Sequence, residues 1–137
     1  RDHAGQVSFP GGRLEAGDPT PEAAALREAW EEVGLPPDCP VPVGRLDDYI
    51  TGTGYRVTPV VGLVPPPVTP VLDPFEVSGV FEVPLAHVLD PANHARRRVH
   101  TGDGERPYYH LWWDGRTIWG ATAAMLVNLY EVLAAPS

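Results

Sequence analysis

Three glutamates, Glu28, Glu31 and Glu32, stand three and four positions apart in the run Arg27-Glu28-Ala29-Trp30-Glu31-Glu32-Val33-Gly34. At about 3.6 residues per helical turn they share one face, one turn apart. Like charges at that spacing repel mildly unless something positive sits between them. Arg27 can partner Glu31 along the helix, but it cannot neutralise all three. Hard carboxylate oxygens suit Mg²⁺ or Mn²⁺, which keep several waters and bind through carboxylates plus substrate phosphates. The chemistry they point to is metal-assisted attack on a pyrophosphate. An ordinary amphipathic helix with a solvated acidic face uses the same residues and is the competing reading.

The positioning elements lie on either side. Gly11 and Gly12 open a loop. Asp18, Thr20 and Pro21 are helix-start residues: the threonine can cap free N–H groups and the proline suits the first turn. Ala23 to Leu26 are good helix formers. Gly34, Pro36 and Pro37 end the helix. Leu26, Ala29, Trp30 and Val33 form the stripe expected to face a core. The segment from Gly11 to Leu35 is therefore predicted to be a glycine loop followed by a helix with an exposed carboxylate cluster.

This segment resembles the Nudix box, G-x5-E-x7-R-E-U-x-E-E-x-G-U with U aliphatic. The half from Arg27 to Leu35 matches nearly every fixed position. The first half departs from it. Counting from Gly12, the acidic position holds Asp18, and eight residues separate it from Arg27 where the pattern has seven. The preceding Gly5-Gln6-Val7-Ser8-Phe9-Pro10-Gly11-Gly12 looks like the extra signature of the coenzyme A pyrophosphatase branch, which shares the Asp and the longer loop. The resemblance implies an α/β Nudix fold, a mixed sheet sandwiched between helices, over a single domain spanning 1–137, with further strands upstream of Arg1. It implies Mg²⁺ or Mn²⁺ held by Glu28, Glu31 and Glu32, and Arg27 orienting those glutamates. Glu31 and Glu76, on a loop after the box, are both candidates for the general base. Gly12 lets the backbone bend close to the metal. Ser8, beside the site in the family, and Arg1 are candidate substrate contacts. The implied substrate is coenzyme A or a derivative, cleaved to 3′,5′-ADP and 4′-phosphopantetheine. NADH or ADP-ribose would require the same catalytic residues. A non-catalytic nucleotide-binding regulator and an acidic interaction domain remain as alternatives of other classes, and a homodimer stays open.

Composition narrows the partners. A net charge of −8 argues against broad binding to nucleic acid or anionic membranes, while leaving room for a small phosphate ligand. No apolar run approaches the roughly 20 residues of a membrane span, and a cytoplasmic location is expected. One cysteine, Cys39, excludes an intramolecular disulfide. All ten basic residues are arginines, and 17 prolines and 14 glycines hint at a GC-rich bacterial source.

Further elements follow from local signals. Gln6–Phe9 reads as a strand, and Pro36–Pro42 as a rigid loop. Arg45–Thr51 and Tyr55–Val64 read as strands joined by Thr51-Gly52-Thr53-Gly54, the second buried and with Pro59 at a bulge or edge. Leu85–Leu89 reads as a short helix. His94–Thr101 is predicted to be an edge strand whose Arg96, Arg98 and His100 share a face and could attract a phosphate. Arg106–Asp114 is an aromatic strand, in which one ring could stack on adenine. Asp114-Gly115 is a hairpin turn, and Gly120–Leu133 a helix with Leu133 among its packing residues. The five histidines show no metal-ligand spacing.

Overall fold

The computed structural model describes residues 7–65, 79–102 and 104–136. They form two compact units, one within 1–45 and 58–81, the other within 46–57 and 82–137. Helices and antiparallel ladders build both, so the α/β class read from the sequence holds.

The first unit contains helix α1, Pro21–Val33. Its ends follow local chemistry. The Thr20 hydroxyl accepts from the Ala23 N–H at 3.1 Å, and Pro21 takes the first turn, where its missing N–H costs nothing. Gly34 closes the helix at φ 71°, a conformation that side-chain-bearing residues avoid, with its N–H on the Trp30 carbonyl at 3.0 Å. Strands β1, Val41–Arg45, and β4, Val60–Leu63, pair antiparallel, with α1 packed on β4. The register shifts between Pro42 and Gly44, where a residue without an N–H interrupts the ladder. Arg45 donates through Nε and Nη2 to both oxygens of Glu22 in the first turn of α1, the second bond at 2.8 Å. These bonds hold the Glu22 carboxyl down to about 2, from an ordinary 4.5.

Several expectations change here. Val7–Phe9 is irregular instead of a strand. β1 begins inside the expected Pro-rich loop, and the strand expected over Tyr55–Val64 splits at Thr58–Pro59. It is half-buried to exposed along β4 instead of buried. Of the expected stripe on α1, Trp30 is 51% exposed, and Ala24 is the helix's buried residue. A two-stranded ladder this short is too narrow to cover a whole helix face.

The second unit opens with β2, Tyr49–Ile50, and β3, Arg56–Val57, an antiparallel pair around the Thr-Gly turn. Thr51 closes that turn: its N–H meets the Tyr55 carbonyl at 2.9 Å, and its hydroxyl accepts from the Tyr55 N–H at 3.0 Å. The short helix α2, Leu85–Val88, and a 3-10 turn, Pro91–Asn93, precede an antiparallel meander of β5, Ala95–Thr101, β6, Gly104–Trp113, and β7, Arg116–Trp119. Among the described residues the strands lie in the order β5-β6-β7, so β5 is an edge there, as expected. Asp114 and Gly115, at φ 49° and 74°, make the left-handed two-residue turn that matches strand twist. Helix α3, Gly120–Ala134, packs on β6 and β7. Leu111 and Ile118 face each other across β6 and β7, fully buried, and with Ala123, Val127 and Val88 they form the core of this unit. Leu133 lies beyond that core and is 60% exposed.

Histidines here serve structure. His87 Nε2 donates to the Trp112 carbonyl at 2.7 Å while its Nδ1 accepts from Asn93 at 3.2 Å. His94 Nε2 donates to the Val88 carbonyl at 2.6 Å. Asn128 of α3 accepts from the Asp47 N–H and donates to the Asp47 carboxylate, both at 3.0 Å.

Truncating Leu111 removes a side chain with no exposed surface, so Leu111→Ala is expected to cost about 2–5 kcal/mol by urea denaturation. Because the Glu22 pKa is depressed on folding, its contribution is full above pH 4.5 and is lost as pH falls toward about 2. Glu22→Gln should therefore weaken the protein at pH 6 and shrink the loss of melting temperature across that window, as read by thermal melts at stepped pH.

Candidate functional site

The glycine loop and α1 meet at Arg27. The loop is pinned first: the Asp18 N–H bonds the Glu15 carbonyl at 2.9 Å, and the Glu15 N–H returns to Asp18 Oδ2 at 2.7 Å. That turn presents the Asp18 carboxylate to Arg27 edge-on. Arg27 Nε reaches Oδ1 at 3.0 Å and Nη2 reaches Oδ2 at 2.9 Å, the fork-to-fork geometry that makes arginine–carboxylate pairs strong. Nη1 turns the other way and donates to Glu28 Oε1 at 2.9 Å and Glu31 Oε2 at 3.0 Å, with Glu15 at 3.4 Å. Nη2 also donates to the Arg13 carbonyl at 3.2 Å.

Burial makes this pairing matter. The Asp18 side chain is 6% exposed and that of Glu28 16%, whereas Glu31 stays about half open to solvent. Hydrogen bonds from Arg27 foremost, then from the Glu15 N–H, hold the Asp18 carboxyl below its usual range. The Asp18 bond, with those to Glu28 and Glu31, raises Arg27 further above its already high value, so its charge is permanent.

Glu32 is placed differently. Its Oε2 accepts from the Gly11 N–H at 2.9 Å, fastening the loop to the last turn of α1. Gly12 sits against Glu28: a Cβ built there would overlap the carboxylate and lie 2.7 Å from its carbon. The two glycines thus perform separate tasks, one donating an N–H and one leaving room.

The structure brings Gly12, Arg27, Glu28, Glu31 and Glu32 together with Asp18. Ser8 is exposed and its hydroxyl makes no hydrogen bond among the described residues. Arg1 and Glu76 lie outside the described residues. The expectation that Arg27 partners Glu31 holds, and the guanidinium does more, tying Glu28 and Asp18 as well. Asp18 was read from the sequence as a helix-start residue and as a departure from a pattern; its place as Arg27's bidentate partner was missed. The signal was present, since Asp18 occupies the acidic position of that pattern.

Could these residues hold a divalent cation? The donors are hard carboxylate oxygens, and Gly12 keeps space at Glu28, so the donor chemistry fits Mg²⁺ or Mn²⁺. Among the described residues no three His, Cys, Asp or Glu side chains converge as a ready cage. Mg²⁺ needs none, because it binds through one or two carboxylates with waters and substrate phosphates completing its shell.

The NUDIX domain family profile matches residues 1–101. The chain is similar to a Klebsiella pneumoniae protein named "Uncharacterized Nudix hydrolase NudL", 41% identical over 129 residues, covering 94% of this chain and 67% of the relative. An Escherichia coli K12 protein of the same name is 42% identical over 130 residues, with the same coverage.

Proposed function

The chain belongs to the Nudix hydrolase family, and from that premise we propose that it hydrolyses the pyrophosphate of coenzyme A or a derivative, releasing 3′,5′-ADP and 4′-phosphopantetheine. The observation that carries hydrolysis is the Arg27 cluster, in which the Nudix glutamates Glu28, Glu31 and Glu32 are arranged around a glycine pair. The substrate reading rests on Gly5-Gln6-Val7-Ser8-Phe9-Pro10-Gly11-Gly12 and on Asp18 with its longer loop. The profile match runs through both units, which supports reading 1–137 as one domain.

Glu28, Glu31 and Glu32 would hold Mg²⁺ or Mn²⁺. When bound, such an ion supplies positive charge to the pyrophosphate oxygens and activates water at neutral pH. The chain's own residues do the rest. Arg27 positions Glu28 and Glu31 and need not touch substrate. Glu32 holds the loop through the Gly11 N–H. Glu31, half open to solvent, can accept a proton from the attacking water, and Glu76 is the second candidate for that task. Gly12 admits the carboxylate of Glu28. No helix among the described residues is long and apolar enough to cross a membrane.

Turnover of coenzyme A, NADH and ADP-ribose with Mg²⁺ or Mn²⁺ tests the reading. Coenzyme A is expected to be cleaved fastest. Glu32→Gln should lower kcat by on the order of a hundredfold or more, the scale of losing one preorganised charged group, without unfolding the protein. Faster cleavage of another dinucleotide would keep the hydrolase and reject the coenzyme A assignment. Absence of turnover on all three would favour a nucleotide-binding regulator. Gly12→Ala should cost about 1–3 kcal/mol and leave the protein folded, because the overlapped carboxylate can swing aside only by giving up its bond to Arg27. Its kcat should still fall by on the order of 10- to 100-fold through displacement of Glu28, measured in the same assay beside a thermal melt.

A further inference from the structure

The three-stranded sheet of the second unit carries a pocket of about 440 Å³, lined by Tyr108, His110, Thr117, Trp119 and Gly120. That volume falls within the range of small-molecule sites. Strand register explains the lining. Tyr108, His110 and Trp112 alternate along one face of β6; Trp119 stands opposite His110, and Thr117 opposite Trp112. The intervening residues, Leu111 and Ile118, point to the other face and form the core. The pocket therefore occupies the face of this sheet that the core does not use. Rings on this face stay open: Trp119, which lines the pocket, is 47% exposed, and Trp112 beside it 57%. Large rings left in water at one spot mark a contact surface more often than chance exposure does.

Charge accompanies the rings. In the β5–β6 ladder Arg97 stands opposite Tyr108, on the pocket face, while Arg96 and Arg98 pair with Tyr109 and Pro107 on the other. Arg96 and Arg98, which the sequence singled out as a phosphate attractor, thus lie on the face opposite the pocket, and Arg97 lies on the pocket face. Arg97 is exposed. On a chain of net charge −8, this basic strand is the exception, and it focuses attraction for an anion locally. His110 adds a donor. Its Nδ1 accepts from Trp112 Nε1 at 3.2 Å, so its proton resides on Nε2, which has no partner among the described residues.

We propose that this pocket is a binding site for a nucleoside monophosphate and that it requires no metal. A planar base stacks on Trp119 and Tyr108, and the phosphate pairs with Arg97. Every base presents a π-face, so rings give affinity without choosing among bases, and one guanidinium can hold a phosphate through two parallel N–H bonds.

Equilibrium dialysis of AMP, adenosine and inorganic phosphate against the full chain in EDTA tests the proposal. Saturable one-to-one binding of AMP is expected. Trp119→Ala should weaken AMP and adenosine alike, by about tenfold or more. Arg97→Gln should weaken AMP and leave adenosine unchanged, and Glu32→Gln should change neither. If Trp119→Ala fails to fold by circular dichroism, the exposed Arg97→Gln decides: an AMP affinity equal to wild type overturns the proposal. So does loss of AMP binding in Glu32→Gln, which would locate the nucleotide on α1, or inorganic phosphate binding as tightly as AMP, which would leave an anion patch without a base pocket. Because no metal or turnover is involved, failure here leaves the hydrolase reading untouched, and failure of that reading leaves this one.

Discussion

Arg27 places one permanent positive charge on a helix turn that carries three negative ones, and the first unit depends on how that charge is shared. A helix face with glutamates three and four residues apart is self-repelling. The guanidinium resolves part of this with its planar fork, giving two N–H groups to Asp18 and one nitrogen to both Glu28 and Glu31. Lysine offers a compact point charge and lacks the planar fork that grips Asp18 through two parallel bonds. Glu32, the carboxylate that Arg27 does not reach, takes a backbone N–H instead. The loop geometry follows from these bonds: Gly11 and Asp18 are both tethered to α1, and the chain between them is held at its two ends.

The bonds that satisfy the carboxylates also aim them. Glu28 is confined between Arg27 and the bare Cα of Gly12. Glu31 meets the same guanidinium while keeping half its surface in water. A group that must take up a proton benefits from that partial exposure; a group that must hold a cation benefits from confinement. One arginine thus gives neighbouring glutamates different environments.

What could be read from the sequence depended on how far the governing interaction reaches. Thr20, Pro21 and Gly34 set the ends of α1 through contacts within four residues, so both ends were legible. The same holds for Asp114-Gly115 and the Thr-Gly turn. Glu28, Glu31 and Glu32 were legible because helical spacing alone puts them on one face. Burial was not legible: Trp30 and Leu133 fit apolar patterns, yet both are exposed, because the strands that would cover them are set elsewhere in the chain. Asp18 was seen but not understood, since its bidentate bond exists only once Glu15 has turned the loop. Pro42 and Pro59 were read as loop and bulge markers; the shift fell at Pro42 and the break at Pro59, a division that depends on which strand each one faces.

The clasp between Asp47 and Asn128 joins residues 81 positions apart. Its two hydrogen bonds fasten the segment leading into β2 to the middle of α3, whereas the meander and its turns are built from near neighbours. Loop-closure entropy makes a contact of that span slow to form before the intervening elements have condensed. Loop-closure entropy therefore favours assembly from local to remote in this unit, meander and helix before clasp. The same clasp, holding a surface segment by side-chain bonds to one asparagine, is a natural first point of opening when the protein breathes.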